Sequence, residues 1–148
     1  MLGFIQNLFS QNVVNIGFED VKYAIQQSSQ FILINTLSNM EQDCLIYGTL
    51  LYEKEEHVIN ELINKNQKEK WKILLYGKNS VDTSVVKKRS QLQSLGFMNI
   101  YVYNGGLFEW LLLQDIYGNA EFPTTSRCKD LLKYRPPITI SRLPAIGY

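Results

Sequence analysis

The feature that most constrains this chain is a regular alternation of short apolar runs with segments of helical periodicity. The runs stay apolar along their whole length, which is typical of parallel strands that are covered on both faces. They are VVNIG at 13–17, FILINT at 31–36, KILLY at 72–76 and NIYVY at 99–103, with CLIYGTLL at 44–51 as a further short run. Because the connections are short, the pattern predicts an α/β domain with a mainly parallel sheet and helices on both faces.

Four helical segments alternate with these runs, and the last of them follows the run at 99–103. Three of them are predicted at 18–28, 53–66 and 107–117. The fourth lies between the loop after Tyr76 and Gly96, and a glycine at that point is typical of a helix end. The apolar residues of this fourth helix that we expect to face the core are Val85, Val86, Leu92 and Leu95. The basic run Lys87-Lys88-Arg89 on the same helix predicts a solvated face.

The two ends of the chain differ in composition from this central pattern. Residues 1–12 mix apolar and amide side chains and predict an N-terminal arm. The segment 122–134 predicts a loop and then a short helix that carries Cys128 and is capped by Thr124 or Thr125. Residues 135–148 contain three of the four prolines and predict an extended tail.

The loop after Tyr76 is the strongest candidate for a site, because ligands bind at the carboxyl ends of strands in parallel sheets. It consists of Gly77, Lys78, Asn79, Ser80, Val81 and Asp82. Its backbone amides and the helix that follows could hold a small anion, and Lys78 would add positive charge. The structural alternative is a strand-to-helix turn in which Ser80 or Asp82 caps the helix, and an ionised Asp82 would oppose an anion.

Several residues around this loop resemble the rhodanese-like domain family. The string ILLYG…SLGFMNIYVYNGGLFEW is similar to the second half of that domain, where an active-site loop, a helix, a strand and a Gly-Gly turn follow one another. The positions that fit the pattern are Gly96, Phe97, Val102, Gly105, Gly106 and Trp110. The first half is looser, with Asn35 at the usual Asp position and Cys44 near the usual His. The fuller string YGKNSVD…GGLFEWLLLQDIYGNAEFPTT also resembles rhodanese-like proteins that large DNA viruses encode.

The resemblance covers about residues 13–118 and implies a three-layer rhodanese-like domain with a sheet of about five strands, which we assign to residues 13–134. Active members carry a cysteine as the first loop residue, and its thiolate takes up sulfane sulfur as a persulfide. Here that position is Gly77, and the Arg of the related Cys-x5-Arg phosphatases falls on Thr83. The resemblance therefore implies a degenerate member with a vestigial loop and no catalytic residue.

Two functional classes remain open beside a non-catalytic interaction or structural module. One is a sulfurtransferase or phosphatase-like enzyme that uses a displaced residue such as Ser80 or Cys44. A serine nucleophile needs a general base, and the one histidine, His57, is predicted in the middle of the helix at 53–66. The other class is a module that binds a small anion at residues 77–82.

A protein partner is the expected ligand of a non-catalytic module. The helix at 107–117 is apolar nearly all round, and the tail is richer in apolar residues than a disordered segment usually is. The candidate partner surface is formed by Phe108, Trp110, Ile138, Ile140 and Leu143. Core packing is the alternative for the two aromatic residues, and packing against its own domain is the alternative for the tail.

Composition excludes several other classes. A net charge of +1 gives no broad basic surface for nucleic acid. Two distant cysteines and one histidine do not make a Cys/His zinc site, and no cofactor is expected. The most apolar segment is short and contains Glu109 and Asp115, so no membrane span is predicted. The cysteine usage suggests an intracellular setting, with the virion as an alternative for a viral protein and one disulfide left open.

Overall fold

The computed structural model describes residues 13–142. Four strands alternate with four α-helices in this part of the chain. They are β1 (Val14–Ile16), α1 (Phe18–Gln26), β2 (Phe31–Asn35), α2 (Tyr52–Asn64), β3 (Lys72–Tyr76), α3 (Ser84–Ser94), β4 (Ile100–Tyr103) and α4 (Gly106–Tyr117). A short 3₁₀ turn lies between β2 and α2 at Asn39–Glu41, and two more follow α4 at Leu131–Tyr134 and Ile140–Arg142. No helix within 13–142 is long and apolar enough to cross a membrane.

The strands form one parallel sheet in the order β1-β4-β3-β2. Alternate residues of each strand face opposite sides, which gives the sheet two separate apolar clusters. One cluster joins Leu74 and Tyr76 of β3 to α1 and α4, and the other joins Ile73 and Leu75 to α2 and α3. The predicted α/β class with a parallel sheet and helices on both faces is therefore confirmed.

The sheet has four strands in the described residues, where about five were expected. The run at 44–51 does not form a strand beside β2. It contributes only an isolated parallel bridge between Leu33 and Thr49 and an antiparallel bridge between Ile46 and Thr124. Gly48 lies between these bridges with φ at +89°, which interrupts the extended backbone that a fifth strand would need.

Helix α3 buries a different stripe from the predicted one. Val85 and Leu92 are buried as expected, but Val86 and Leu95 are exposed. The remaining buried residue of α3 is Arg89, which lies one helical turn after Val85 and one before Leu92. The prediction of a solvated Lys87–Arg89 face is thus wrong for Arg89.

The segment after α4 packs back onto the domain. The side chain of Asp130, and not Thr124 or Thr125, caps the 3₁₀ turn Leu131–Tyr134 by accepting from the Leu132 amide. Thr124 instead accepts a hydrogen bond from the Gln114 side chain, and Thr125 accepts one from the Leu45 amide. Cys128 precedes the 3₁₀ turn, so its predicted place on a short helix is wrong.

Candidate functional site

The candidate loop, residues 77–82, joins the carboxyl end of β3 to α3. The start of α4 is bound to it, because the amides of Leu107 and Phe108 donate to the carbonyls of Gly77 and Lys78 at 2.9 and 3.0 Å. Gly106 makes this approach sterically accessible. Its φ is +68°, and a Cβ at this position would lie 2.7 Å from the Gly77 carbonyl oxygen.

The carboxylate of Asp82 occupies the inside of this loop. Its Oδ2 accepts from the Lys78 amide at 2.8 Å, and its Oδ1 accepts from the Ser84 amide at 2.9 Å and the Ser84 hydroxyl at 2.7 Å. Burial pushes the pKa of Asp82 upward, but these hydrogen bonds outweigh it and lower the pKa below its usual range. The loop donors therefore already hold an anion, and that anion belongs to the chain itself.

The position of the missing cysteine is sterically closed. A Cβ on Gly77 would lie 2.6 Å from Asp82 Oδ2 and 2.7 Å from Val85 Cγ2, both shorter than real Cβ contacts. Because Asp82 is fixed by Lys78 and Ser84, its carboxylate cannot move aside without losing hydrogen bonds. The conformation of the loop thus depends on a residue without a side chain at 77.

The other polar side chains of the loop make contacts within the chain. Lys78 Nζ forms an ion pair with Glu41 at 2.9 Å. Asn79 is buried, donates through Nδ2 to the Tyr134 carbonyl at 3.0 Å and accepts through Oδ1 from the Val81 amide. The loop is therefore attached both to the 3₁₀ turn after β2 and to the C-terminal segment.

The displaced nucleophiles considered from the sequence are not brought to a common site. Ser80 is exposed on the loop, and His57 is exposed on α2. Neither His57 nor Cys44 belongs to the described residues that line the two cavities beside the loop. The residues needed for a Ser-His or Cys-His arrangement are consequently separate.

Cys44 is a core residue that is only 2% exposed. Its thiol donates a hydrogen bond to the Ser126 carbonyl oxygen at 3.5 Å. Burial, followed by the charge of Cys128, raises the pKa of Cys44 to about 11. A thiol with this pKa carries almost no thiolate near neutral pH, so it is a weak nucleophile.

The raised pKa of Cys44 predicts a loss of stability at alkaline pH. The folded state holds this proton more tightly than the unfolded state, so its contribution is complete below pH 9.0 and is lost as the pH rises to about 11. The loss is at most about 3 kcal/mol. Burial also raises the pKa of Tyr76 above 10.0, which steepens the decline at the upper end.

Urea denaturation at several pH values between about 8 and about 11 measures this loss. We expect Cys44→Ala to give a shallower decline than the unmodified chain. Cys128→Ala is the control, because burial is the larger cause of the shift and remains in that variant. Equal slopes for Cys44→Ala and the unmodified chain would contradict the assignment.

Asn35, at the usual position of the family's Asp, has a structural role. Its amide exchanges two hydrogen bonds with Gln42 at 3.0 and 2.8 Å, and its Oδ1 accepts from the Leu37 amide. These bonds fix the chain where it leaves β2. Asn35 is only 2% exposed, so its polar atoms are not presented to a ligand.

The structure divides the predicted partner surface. Trp110 is fully buried, so its place on this surface is wrong, while Phe108 is half-buried against the core. Ile138 and Ile140 are exposed, and Leu143 lies outside the described residues. The sequence pattern did not distinguish the buried Trp110 from the half-buried Phe108, because α4 is apolar on every side. The exposed apolar residues of α4 are Leu112, Ile116 and Tyr117.

A family model for the rhodanese-like domain matches residues 26–113. Among solved structures, the chain is similar to Ygr203w, a yeast protein tyrosine phosphatase of the rhodanese family. The identity is 16% and the TM-score 0.58, over 84% of this chain and 98% of that one. The BH2092 protein from Bacillus halodurans gives 16% identity and a TM-score of 0.54, with 74% and 80% covered.

A thiosulfate sulfurtransferase from Pseudomonas aeruginosa is similar at 13% identity with a TM-score of 0.55. The match covers 84% of this chain and 24% of that longer one. No curated protein sequence gives a significant match. At these identities the structural likeness establishes the fold alone, whereas the family model covers more than half of the chain. From the family match and the shared fold, we conclude that the chain belongs to the rhodanese-like domain family.

Proposed function

We propose that this chain is a degenerate, non-catalytic rhodanese-like module with an interaction or structural role. The observation that carries the proposal is the Asp82 carboxylate, which fills the space where a side chain on residue 77 would begin. Sulfur transfer in the family needs a cysteine at that position and amides that are free to stabilise its persulfide. Gly77 supplies no thiol, and the Lys78 amide is already engaged.

The contacts of Lys78 and Asn79 support a structural use of the loop. Lys78 is bound to Glu41, and Asn79 holds the Tyr134 carbonyl, so the loop connects the C-terminal segment to the sheet. A phosphate or sulfate would have to displace Asp82 from the Lys78 and Ser84 amides and would meet its negative charge. This competition disfavours the small-anion alternative at residues 77–82.

The enzymatic alternative draws on the relatives that are described as a tyrosine phosphatase and a sulfurtransferase. It requires a nucleophile other than residue 77. Ser80 lines a cavity with Asp82, whose carboxylate is already held by Lys78 and Ser84, and Cys44 is a buried thiol with a raised pKa. These features favour the non-catalytic proposal over the enzymatic one.

The interaction role is supported by apolar side chains that no described part of the chain covers. Ile140 is 87% exposed and Ile116 is 70% exposed, on the tail and on α4. On α4, Leu112 and Tyr117 are exposed beside Ile116, and exposed apolar side chains that are grouped together mark contact surfaces. We propose an intracellular location, and the resemblance to proteins of large DNA viruses extends the proposal to a viral protein, for which the virion is the alternative location.

The proposal is tested by assays of both family activities on the purified chain. We expect no sulfur transfer from thiosulfate to cyanide and no hydrolysis of p-nitrophenyl phosphate above the buffer control. Sulfur transfer that Ser80→Ala, Cys44→Ser or Gly77→Ala abolishes would establish the enzymatic alternative instead. A thermal shift with phosphate that Lys78→Glu removes would establish the small-anion alternative.

A further inference from the structure

The two cysteines of the chain, Cys44 and Cys128, lie far apart in the sequence and are brought together by the fold. Both are free thiols, and Cys128 packs against the apolar cluster in which Cys44 is buried. The Cys44 thiol donates to the carbonyl of Ser126, two residues before Cys128. The pKa of Cys44 is raised by burial and then by the charge and the hydrogen bond of Cys128, so the two thiols are neighbours.

The backbone segments that carry the two cysteines are held side by side. The segment of Cys44 runs antiparallel to the one that leads to Cys128, and an isolated bridge and two backbone hydrogen bonds join them. Next to Cys44, the Asp43 carbonyl accepts from the Ser126 hydroxyl at 2.6 Å. A bond between the two thiols would therefore link segments that are already in contact.

The two thiols differ in their access to solvent. Cys44 is buried, whereas Cys128 is half-buried and lines a cavity of about 560 Å³ between α4 and the C-terminal segment. The charged residues of the cavity wall are of both signs, and they are Asp115, Arg127, Lys129 and Asp130. Because the oxidation of a thiol depends on its exposure, a small oxidant meets Cys128 first and Cys44 reacts afterwards.

We propose that Cys128 is a site of peroxide oxidation and that Cys44 converts the oxidised sulfur into an intramolecular disulfide. In the first step, the Cys128 sulfur attacks one oxygen of hydrogen peroxide. An S–O bond forms, the O–O bond breaks, and the second oxygen leaves as water with the thiol proton. In the second step, the Cys44 sulfur attacks the Cys128 sulfur, and the hydroxide leaves as water with the Cys44 proton. Two thiols are oxidised to one disulfide, and the peroxide is reduced to two waters.

The disulfide would fasten the C-terminal segment to the core. This segment also supplies the Tyr134 carbonyl to which Asn79 of the candidate loop donates at 3.0 Å. A cross-link between residues that are distant in sequence restricts the unfolded chain and so stabilises the folded one. The site uses neither Gly77 nor the loss of catalysis, so it is independent of the proposed function.

Peptide mapping of the purified chain after treatment with hydrogen peroxide tests the proposal. Without reductant, we expect a peptide pair that joins Cys44 to Cys128. Both thiols should be lost to alkylation after unfolding and should be recovered with dithiothreitol. The oxidised chain should also have a thermal midpoint about 5 °C or more above that of the reduced chain.

Single-cysteine variants separate the two steps. In Cys44→Ala, Cys128 should accumulate as a sulfenic acid that dimedone traps, because the second thiol is absent. In Cys128→Ser, Cys44 should react with peroxide at least about tenfold more slowly than Cys128 does in Cys44→Ala, because it is buried. If Cys44→Ala does not fold, the mapping of the unmodified chain still decides between the outcomes.

Three results would overturn the proposal. The first is that both thiols stay open to alkylation after a peroxide treatment that oxidises free glutathione. The second is a disulfide that forms only between two chains, and the third is further oxidation of Cys128 while Cys44 stays a thiol. A cross-linked chain that melts no higher than the reduced one would overturn the fastening of the C-terminal segment. None of these results affects the loss of catalysis, which is measured by sulfur transfer and phosphate release.

Discussion

Replacing Trp110 by alanine should lower the free energy of unfolding by about 3–5 kcal/mol, the range for removing a large buried aromatic side chain. Trp110 is fully buried between Tyr103 and Phe122, with ring centroids at 6.3 and 5.1 Å in edge-to-face arrangements. Its indole N–H also donates to the Pro123 carbonyl at 3.0 Å. Alanine would leave a cavity and an unpaired carbonyl at the point where α4 meets the C-terminal segment.

Urea denaturation of Trp110→Ala measures this effect, and Ile116→Ala on the same helix is the matched control. Ile116 is 70% exposed, so its replacement should change stability by no more than about 0.5 kcal/mol. A Trp110→Ala variant with unchanged stability would show that the side chain is dispensable to the core. The predicted role of Trp110 on a partner surface would then have to be reconsidered.

Introducing a cysteine at the family position, as Gly77→Cys, should lower stability by about 1–3 kcal/mol and produce no sulfurtransferase activity. The new Cβ would collide with Asp82 Oδ2 and Val85 Cγ2. Moving Asp82 would leave the Lys78 and Ser84 amides without their acceptor. A negatively charged persulfide at this position would also face the Asp82 carboxylate.

Gly17→Cys is the matched control, because nothing lies within 4 Å of a Cβ at that position. The double variant Gly77→Cys/Asp82→Ala tests whether Asp82 is the obstacle. Its loss of stability should be smaller than the sum of the two single losses by about 0.5 kcal/mol or more. Strictly additive losses would argue against the contact, and sulfur transfer by Gly77→Cys alone would contradict the closed geometry.

Much of the fold could be predicted because its strands are apolar on both faces. KILLY coincides with β3, and Gly96 ends α3 with φ at +97°. The run at 44–51 does not form a strand. Its apolar residues pack in the core around a turn at Gly48 and do not pair along a neighbouring strand. Apolar character alone does not distinguish these two ways of burying a segment.

The place of the loop between β3 and α3 could be predicted, but its internal contacts were beyond the sequence. The distance in sequence from Lys78 to Asp82 permits a hydrogen bond and does not determine the rotamer that turns the carboxylate inward. The burial of Arg89 could have been predicted, because Arg89 lies on the same helical stripe as Val85 and Leu92. Its place in a basic run obscured this. Trp110 could not be assigned to a side because every face of α4 carries apolar residues.

The pairing of β1 with β4 has a consequence for the order of folding. β1 is the first described strand to be synthesised, and Val14 is paired with Tyr101, so its ladder cannot form until β4, the last described strand, has been made. The sheet is therefore completed at this edge only when β1 meets the later-made β4, and a variant that lacks β1 would leave that edge of β4 unpaired and open to pairing with another chain.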